Sequence, residues 1–206
     1  MNDIHTHWET IYQRRPIHEL SWYQDDPTDS LLLISNVGPS TAQRIIDVGG
    51  GASRLVDALL ERDYLRPAVL NISDAALEHA RQRLGKRAAL VDWYSSEVTL
   101  FRPPRRFTIW HDRAVFHFLT DEKDQEAYIS VLREALEPDG QVVIASFTHG
   151  APSRCSNLEV RHHDEQSLQA IFGQEFQLLE VFHKRHITPV NQVQPFIYCR
   201  FLHGGI

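Results

Sequence analysis

One stretch decides the fold of this chain: residues 45–53, Ile-Ile-Asp-Val-Gly-Gly-Gly-Ala-Ser, where an apolar run ends in an acid and a glycine-rich turn. Glycine has no Cβ, so it tolerates positive φ and lets the backbone approach a ligand closely, and the helix that follows offers unpaired N–H groups. The pattern therefore predicts a strand, a turn and a helix that form a nucleotide-type cofactor site. An ordinary strand-to-helix turn of an α/β protein is the alternative that this stretch alone leaves open.

The acid before the glycines indicates which ligand the turn would hold. Dinucleotide-binding turns carry Gly-x-Gly-x-x-Gly directly after the strand, where backbone amides hold a pyrophosphate that a carboxylate would repel. Here Asp47 precedes Gly49 and Gly51. The turn therefore suits a ligand that presents a cation at this point, such as the amino group of an amino acid.

Composition limits the classes of protein to consider. A chain of 206 residues fits one domain, and 21 Lys+Arg against 27 Asp+Glu give a net charge of -6, so no overall field favours nucleic acid or an anionic membrane. Cys155 and Cys199 lie too far apart for a Cys-x-x-Cys site, which argues against a disulfide scaffold or zinc knuckle. The polar start of the chain and the lack of a long apolar run predict a cytoplasmic protein without a membrane span.

The order of predicted elements is that of an alternating α/β protein. Helical pieces are expected over residues 7–37, and helices begin at the glycine turn, at Ser73, at Thr120 and at Asp164. Two strand-like runs without a helix between them close the chain, so they should pair antiparallel. The predicted strands are residues 44–48, 68–71, 88–91, 107–110, 141–147, 176–182 and 195–202.

The glycine turn resembles motif I of the class I S-adenosylmethionine-dependent methyltransferases, usually written acid-x-Gly-x-Gly-x-Gly. The series here is Asp47, Gly49 and Gly51, with Gly50 between them and Ser53 where a third glycine is common. The resemblance implies a three-layer α/β/α sandwich with a seven-stranded, mostly parallel sheet whose last strand is antiparallel. It also implies a single domain over residues 1–206, in which residues 1–40 form a helical lid, and S-adenosyl-L-methionine as the cofactor.

The same resemblance assigns cofactor contacts to the loops after the second and third strands. Asn71, 20 residues past Gly51, would meet the ribose hydroxyls, where the family usually has an acid, and Ile72 would flank the adenine. Asp92 would accept the adenine amino group, and Trp93 would pack on the ring. A turn role for Asn71, a capping Asp92 and a core Trp93 are the structural alternatives.

The segment 110–118, Trp-His-Asp-Arg-Ala-Val-Phe-His-Phe, follows the predicted fourth strand, which in the family faces the methyl group. With His7-Trp8-Glu9 and residues 21–24, it resembles a subgroup of small bacterial methyltransferases. His111, Asp112 and His117 are candidates for a general base, and His111 also for a cofactor contact. A core position for His117 and an ion pair of Asp112 with Arg113 are the alternatives.

Aromatic residues would enclose the acceptor. Trp22, Tyr23 and Phe116 can exclude water and attract a cationic sulfonium or amine through their π-faces, and we expect Arg113 to contact the acceptor as well. Core packing is the alternative for the aromatic rings. No metal is expected, because neighbouring histidines such as His162-His163 commonly point apart and Asp164 is accounted for as a helix cap.

The sequence thus predicts a methyltransferase that acts on a small molecule. A protein lysine methyltransferase is the alternative acceptor class, and a non-catalytic S-adenosylmethionine-binding protein or a nicotinamide-dependent reductase are alternatives of other classes. Neither a nucleic-acid nor a membrane partner is expected. The sequence leaves open whether the protein is a monomer or a dimer.

Overall fold

The computed structural model describes residues 4–204 and contains a seven-stranded sheet. Spatial order in this sheet is β3-β2-β1-β4-β5-β9-β8, and a separate two-stranded hairpin pairs β6 with β7. The strands are β1 Ile45–Val48, β2 Ala68–Asn71, β3 Asp92–Ser95, β4 Phe107–Arg113, β5 Leu136–Phe147, β6 Arg154–Cys155, β7 Leu158–Glu159, β8 Phe176–Ile187 and β9 Val193–His203.

The direction of the last strand matches the prediction. Strands β3, β2, β1, β4 and β5 pair in parallel, whereas β9 runs antiparallel between β5 and β8. The predicted α/β fold with a mostly parallel seven-stranded sheet is therefore confirmed.

Helices cover both faces of the sheet, which gives the predicted three layers. On the first face, α5 and α6 pack against one set of alternating strand residues. On the second face, α2, α3 and α4 pack against the other set. Such alternation follows from the period of two along a strand. The helices are α1 Ile4–Arg14, α2 Thr28–Ser35, α3 Leu55–Glu61, α4 Asp74–Leu84, α5 Glu122–Ala135 and α6 Glu165–Phe172.

Two predicted strand boundaries are wrong in ways that matter for the site. The third strand is not residues 88–91, since Gly85–Leu90 forms a 3₁₀ segment in which Leu90 is 53% exposed, and β3 begins only at Asp92. The fourth strand does not end at Trp110 but continues to Arg113. His111 and Asp112 are therefore strand neighbours whose side chains point to opposite faces of the sheet.

Two further local features bear on the prediction. Asp164 caps α6 as expected, because its side chain accepts a hydrogen bond from the backbone N–H of Ser167. The hairpin of β6 and β7 was not predicted from the sequence, because two-residue strands leave no periodic pattern.

The packing of α2 on the second face yields a stability prediction. Leu33 is 0% exposed and belongs to the core of that face, whereas its neighbour Leu32 is 53% exposed. Leu33→Ala should lower the free energy of unfolding by about 2–5 kcal/mol, and Leu32→Ala by less than about 0.5 kcal/mol. Urea denaturation of both variants measures this difference, and equal losses would contradict the described packing of α2.

Candidate functional site

The candidate site lies where the carboxyl ends of β1, β2 and β4 meet. Strand β1 is the point at which the chain order reverses, with β2 on one side and β4 on the other, and such switch points form ligand crevices in open α/β sheets. Two cavities open there, one of about 40 Å³ and one of about 400 Å³. Both cavities are lined by Trp22, Val48, Gly49 and Arg113, so they adjoin.

Asp47, the acid before the glycine turn, is buried, and only one of its two carboxylate oxygens has a hydrogen-bond partner. Asp47 is 2% exposed and lines the small cavity. Its Oδ1 atom lies 2.7 Å from Nδ1 of His111, its register partner on β4, whereas its Oδ2 atom is buried without a hydrogen-bond partner. Buried polar atoms nearly always have partners, so Oδ2 is a ready acceptor for a cationic ligand group.

His111 is fixed through both ring nitrogens. While Nδ1 faces Asp47, Nε2 lies 2.8 Å from the hydroxyl oxygen of Ser30 on α2. Because an ionised carboxylate only accepts hydrogen bonds, the Nδ1–H group donates to Asp47. His111 therefore orients the carboxylate, and Ser30 is a site residue that the sequence did not reveal.

Two successive positions of the turn, Gly49 and Gly50, have no room for a side chain. Gly49 has a φ of 73°, in the left-handed region, and a Cβ there would collide with the side chain of Val115. A Cβ on Gly50 would collide with Oδ2 of Asp47. The turn thus brings bare backbone against the carboxylate and the adjoining cavities.

Ser53, at the end of the turn, is held by hydrogen bonds to its hydroxyl and to its carbonyl. Its hydroxyl oxygen accepts a hydrogen bond of 3.0 Å from the N–H of Leu55, at the start of α3. Its carbonyl accepts a hydrogen bond of 2.6 Å from Arg83, which also pairs with Asp57. A side chain where the family often has glycine is accommodated here, and Ser53 lines the small cavity.

At the end of β2, Asn71 and Ile72 both line the large cavity. The side-chain oxygen Oδ1 of Asn71 accepts a hydrogen bond of 2.8 Å from the N–H of Ser73, so the side-chain amide of Asn71 has a fixed orientation. Glu9 of α1 joins this network, since it accepts from the hydroxyl of Ser73 at 2.6 Å and from the N–H of Ala75 at 3.2 Å. The amino-terminal helix is thereby tied to the start of α4.

Asp92 and Trp93 do not lie where the sequence analysis placed them. They form the beginning of β3, at the amino end of the parallel strands, whereas the glycine turn lies at the carboxyl end of β1. Asp92 pairs with Arg66 at 2.6 Å and Arg105 at 2.8 Å, and the indole N–H of Trp93 donates to the carbonyl of Ala88. These contacts are structural, and neither residue lines either cavity.

The loop that follows β3 brings other residues to the large cavity, namely Ser96, Glu97 and Val98. The sequence analysis missed them because it placed the strand four residues too early. The chain does carry a signal, since the aromatic pair Trp93 and Tyr94 precedes the polar run 95–97. Glu97 is an acid of this loop that lines the large cavity.

Asp112 is a core residue on the opposite face of β4 from His111. It is fully buried, its Oδ2 atom accepts from the hydroxyl of Tyr128 at 2.8 Å, and Oδ1 accepts from the N–H groups of Val115 at 3.0 Å and Phe116 at 3.3 Å. Burial raises the pKa of this carboxyl to about 6. Asp112 lines neither cavity, so it holds the turn after β4 and does not face a substrate.

His117, in contrast, is buried but lines the large cavity. Its Nδ1 atom accepts a hydrogen bond of 3.3 Å from the N–H of Phe147, and its Nε2 atom has no partner. Burial holds the pKa of His117 well below its ordinary value, and the nearby His163 and Arg113 lower it further. The imidazole is therefore neutral at physiological pH.

The aromatic enclosure forms from a different set of rings than predicted. Trp22 lines both cavities, but Tyr23 lines only the small one, and Phe116 is a core residue packed on Tyr128. The large cavity is instead bounded by rings from the amino-terminal segment and from the turn after β4. These rings are Trp8, Tyr12, Trp22 and Phe118, with Trp8 in edge contact with Trp22 at 5.6 Å and with Phe118 at 5.1 Å.

Within residues 4–204, no group of three or more His, Cys, Asp or Glu side chains is arranged to hold a metal ion. The helices in this part of the chain are too short or too polar to cross a membrane.

Comparison with known proteins now adds to this geometry. A family model described as a methyltransferase domain matches residues 46–142, which include the glycine turn and the strands around it. This part of the chain is thus similar to a methyltransferase domain.

Solved structures of the same fold cover nearly the whole chain. A protein studied for conversion of a disulfide bond into a thioacetal group during echinomycin biosynthesis matches with a TM-score of 0.77 and 14% identity, over 98% of this chain and 93% of the other. A methyltransferase from Anabaena variabilis matches with a TM-score of 0.74 and 14% identity, over 98% and 95% of the two chains. The N-methyltransferase NodS from Bradyrhizobium japonicum, in complex with S-adenosylhomocysteine, matches with a TM-score of 0.69 and 17% identity, over 95% and 97%. No curated protein sequence gives a significant match.

The burial of Asp112 predicts a pH dependence of stability. Its pKa rises from an ordinary value of 3.8 to about 6 in the folded protein, so the folded state binds more protons between these values. The contribution of Asp112 to the free energy of unfolding therefore falls as pH rises from about 4 to about 6. Asp112→Asn should remove that part of the fall, as measured by urea denaturation across this range.

The exposed Asp26 offers a control for this measurement. Asp26→Asn should leave the pH profile of the wild type unchanged. If Asp112→Asn also kept the wild-type profile, the buried carboxyl would not titrate as described.

Proposed function

We propose that this protein is an S-adenosylmethionine-dependent methyltransferase, which transfers a methyl group to a small molecule bound in the large cavity. The observation that carries the proposal is the extent of that cavity, which is about 400 Å³ and runs from Asn71 and Glu97 to the rings of Trp8 and Phe118. Cavities of roughly 300–1,000 Å³ are typical of small-molecule sites. A volume at the lower end of this range, shared with a cofactor, leaves room for a small acceptor.

The residues of the site fit S-adenosylmethionine. The free Oδ2 atom of Asp47 suits the amino group of its methionine end, and the bare backbone at Gly49 and Gly50 permits close approach. Asn71 at the end of β2 and Glu97 on the loop after β3 suit the ribose and adenine, with Ile72 against the ring. When bound, the cofactor supplies a methyl group on a positively charged sulfur.

The protein contributes alignment and exclusion of water more than acid–base chemistry. Alignment of reacting groups can supply about 7–11 kcal/mol. The rings of Trp8, Trp22 and Phe118 keep water out and present π-faces to a cation. Of the three predicted base candidates, Asp112 is remote from the cavities and His111 has both nitrogens engaged, so both are positioning residues.

Methyl-transfer assays with labelled cofactor test the acceptor class. Purified protein is incubated with S-[methyl-³H]adenosylmethionine and either the ultrafiltrate or the protein fraction of a cell extract. Label in a small molecule, with release of S-adenosylhomocysteine, supports the proposal. Label in protein would instead favour the lysine-methyltransferase alternative, and cofactor binding without any transfer would favour a binding protein.

The two acids on β1 and β3 provide a matched test of the cofactor site. Asp47→Asn removes the negative charge that we assign to the amino group, so the Kd for S-adenosylhomocysteine should rise by about 10- to 100-fold. Asp92→Asn should leave this Kd unchanged, because Asp92 lies at the amino end of the parallel strands and lines neither cavity. Isothermal titration calorimetry measures both values, and an equal effect of the two variants would refute the assignment.

The acid after β3 gives a second prediction of the same kind. Glu97→Gln should weaken S-adenosylhomocysteine binding by roughly tenfold, because a neutral acceptor replaces a charged one near the ribose and adenine. The exposed Glu159 also lines the large cavity, on the side of the hairpin, and serves as control. Glu159→Gln should bind S-adenosylhomocysteine as the wild type does, and a loss equal to that of Glu97→Gln would contradict the placement.

A further inference from the structure

Two buried donors at the large cavity lack hydrogen-bond partners. They are Nε2 of His117 and Nη2 of Arg113, and both residues line the cavity. An unpaired buried donor costs on the order of 1–3 kcal/mol, more when it is charged. Two such atoms in one cavity wall point to a ligand that would satisfy them.

The hydrogen-bonding role of His117 follows from its backbone contact. Its Nδ1 atom accepts from the N–H of Phe147 at 3.3 Å, so this nitrogen carries no proton. In a neutral imidazole the proton then resides on Nε2. His117 therefore presents an N–H donor to the cavity and is not the general base that the sequence suggested.

Arg113 brings a positive charge to the same wall. Its Nη1 atom donates to the carbonyl of Trp22 at 2.9 Å and its Nε atom to the hydroxyl of Tyr198 at 3.0 Å. Within residues 4–204, the ion pairs do not include Arg113. The guanidinium is thus held by neutral oxygens, and its charge lacks a counter-ion.

The two donors flank one aromatic ring. The guanidinium of Arg113 lies 4.7 Å from the centre of the Phe196 ring, and the imidazole of His117 lies 6.4 Å from the same ring. The acidic residues that line the cavity are Glu97, Asp124 and Glu159. Asp124 and Glu159 are exposed, so water screens their charges, and Glu97 lies on the loop after β3, which β2 and β1 separate from the β4 strand that carries Arg113. The buried wall is therefore electropositive.

We propose that Arg113 and His117 bind a carboxylate of the methyl acceptor. Arg113 supplies the charge and His117 a hydrogen bond, while the apolar part of the acceptor packs against Trp8, Trp22 and Phe118. This inference rests on the proposed function, because it names the chemical class of the acceptor in that site. The carboxylate of the cofactor is the other source of the same chemistry, and the experiment separates the two.

A matched pair of probes tests the proposal on protein saturated with S-adenosylhomocysteine. Indole-3-carboxylate and indole-3-carboxamide have nearly the same shape and differ in charge. We expect calorimetry to show that the acid binds at least about tenfold more tightly than the amide. Equal binding of the two probes, or no binding of either, would contradict the proposal.

Variants then assign the preference to the two donors. Arg113→Met should abolish the preference for the acid. His117→Asn, which retains an acceptor near Nδ1 but removes the Nε2–H donor, should weaken binding of the acid, whereas His117→Gln, which can keep a donor near Nε2, should restore part of it. A preference that survives Arg113→Met would overturn the assignment.

The affinity for S-adenosylhomocysteine separates the sources of the carboxylate and reports folding. It should remain at the wild-type value in the His117 variants and in Arg113→Met. Suppose that Arg113→Met no longer bound S-adenosylhomocysteine but kept the wild-type thermal transition, while Arg113→Lys bound it normally. The positive charge at position 113 would then serve the cofactor, and the proposal would fail. If the wild type itself did not bind S-adenosylhomocysteine, the proposed function would fail instead.

Discussion

The buried hydrogen bond between Asp47 and His111 is the constraint on which the site depends. It joins neighbouring parallel strands at their carboxyl ends, and Ser30 of α2 fixes the far side of the imidazole. With one oxygen satisfied and the other unpaired, the carboxylate is both oriented and available. Such a group is costly in an apolar interior, so its retention is explained by a ligand that completes its hydrogen bonds.

A second arrangement couples this carboxylate to the turn after β4. Asp112 follows His111 in β4 and points to the other face of the sheet. It accepts hydrogen bonds from the N–H groups of Val115 and Phe116, and so holds a turn in which Ala114 has a φ of 70°. A non-glycine residue in that region costs about 1–2 kcal/mol, which the buried hydrogen bonds offset. The turn packs Val115 against Gly49. The side chains of His111 and Asp112 point to opposite faces of β4, so His111 orients the site carboxylate while Asp112 holds this turn from the core side.

The sequence predicted those parts of the fold that local patterns determine. The β1 turn, the reversed last strand and the cap at Asp164 follow from glycine placement, strand composition and capping chemistry. The third strand was misplaced because the apolar residues 88–91 have a strand-like composition, whereas Asp92 is kept at the true strand start by Arg66 and Arg105 from distant segments. The polar residues 111–113 were assigned to a loop because their partners, Ser30, Tyr128 and Tyr198, are remote in the chain.

The central claim is that the free oxygen of Asp47 is the ligand-binding end of the crevice. A crystal structure of the protein with S-adenosylhomocysteine tests it most directly. The account predicts the amino group of the ligand within hydrogen-bonding distance of Asp47 Oδ2, with the adenosine extending past Asn71 towards Glu97. An amino group bound elsewhere while Asp47 Oδ2 stays without a partner, or an adenine ring beside Asp92 and Trp93, would contradict it.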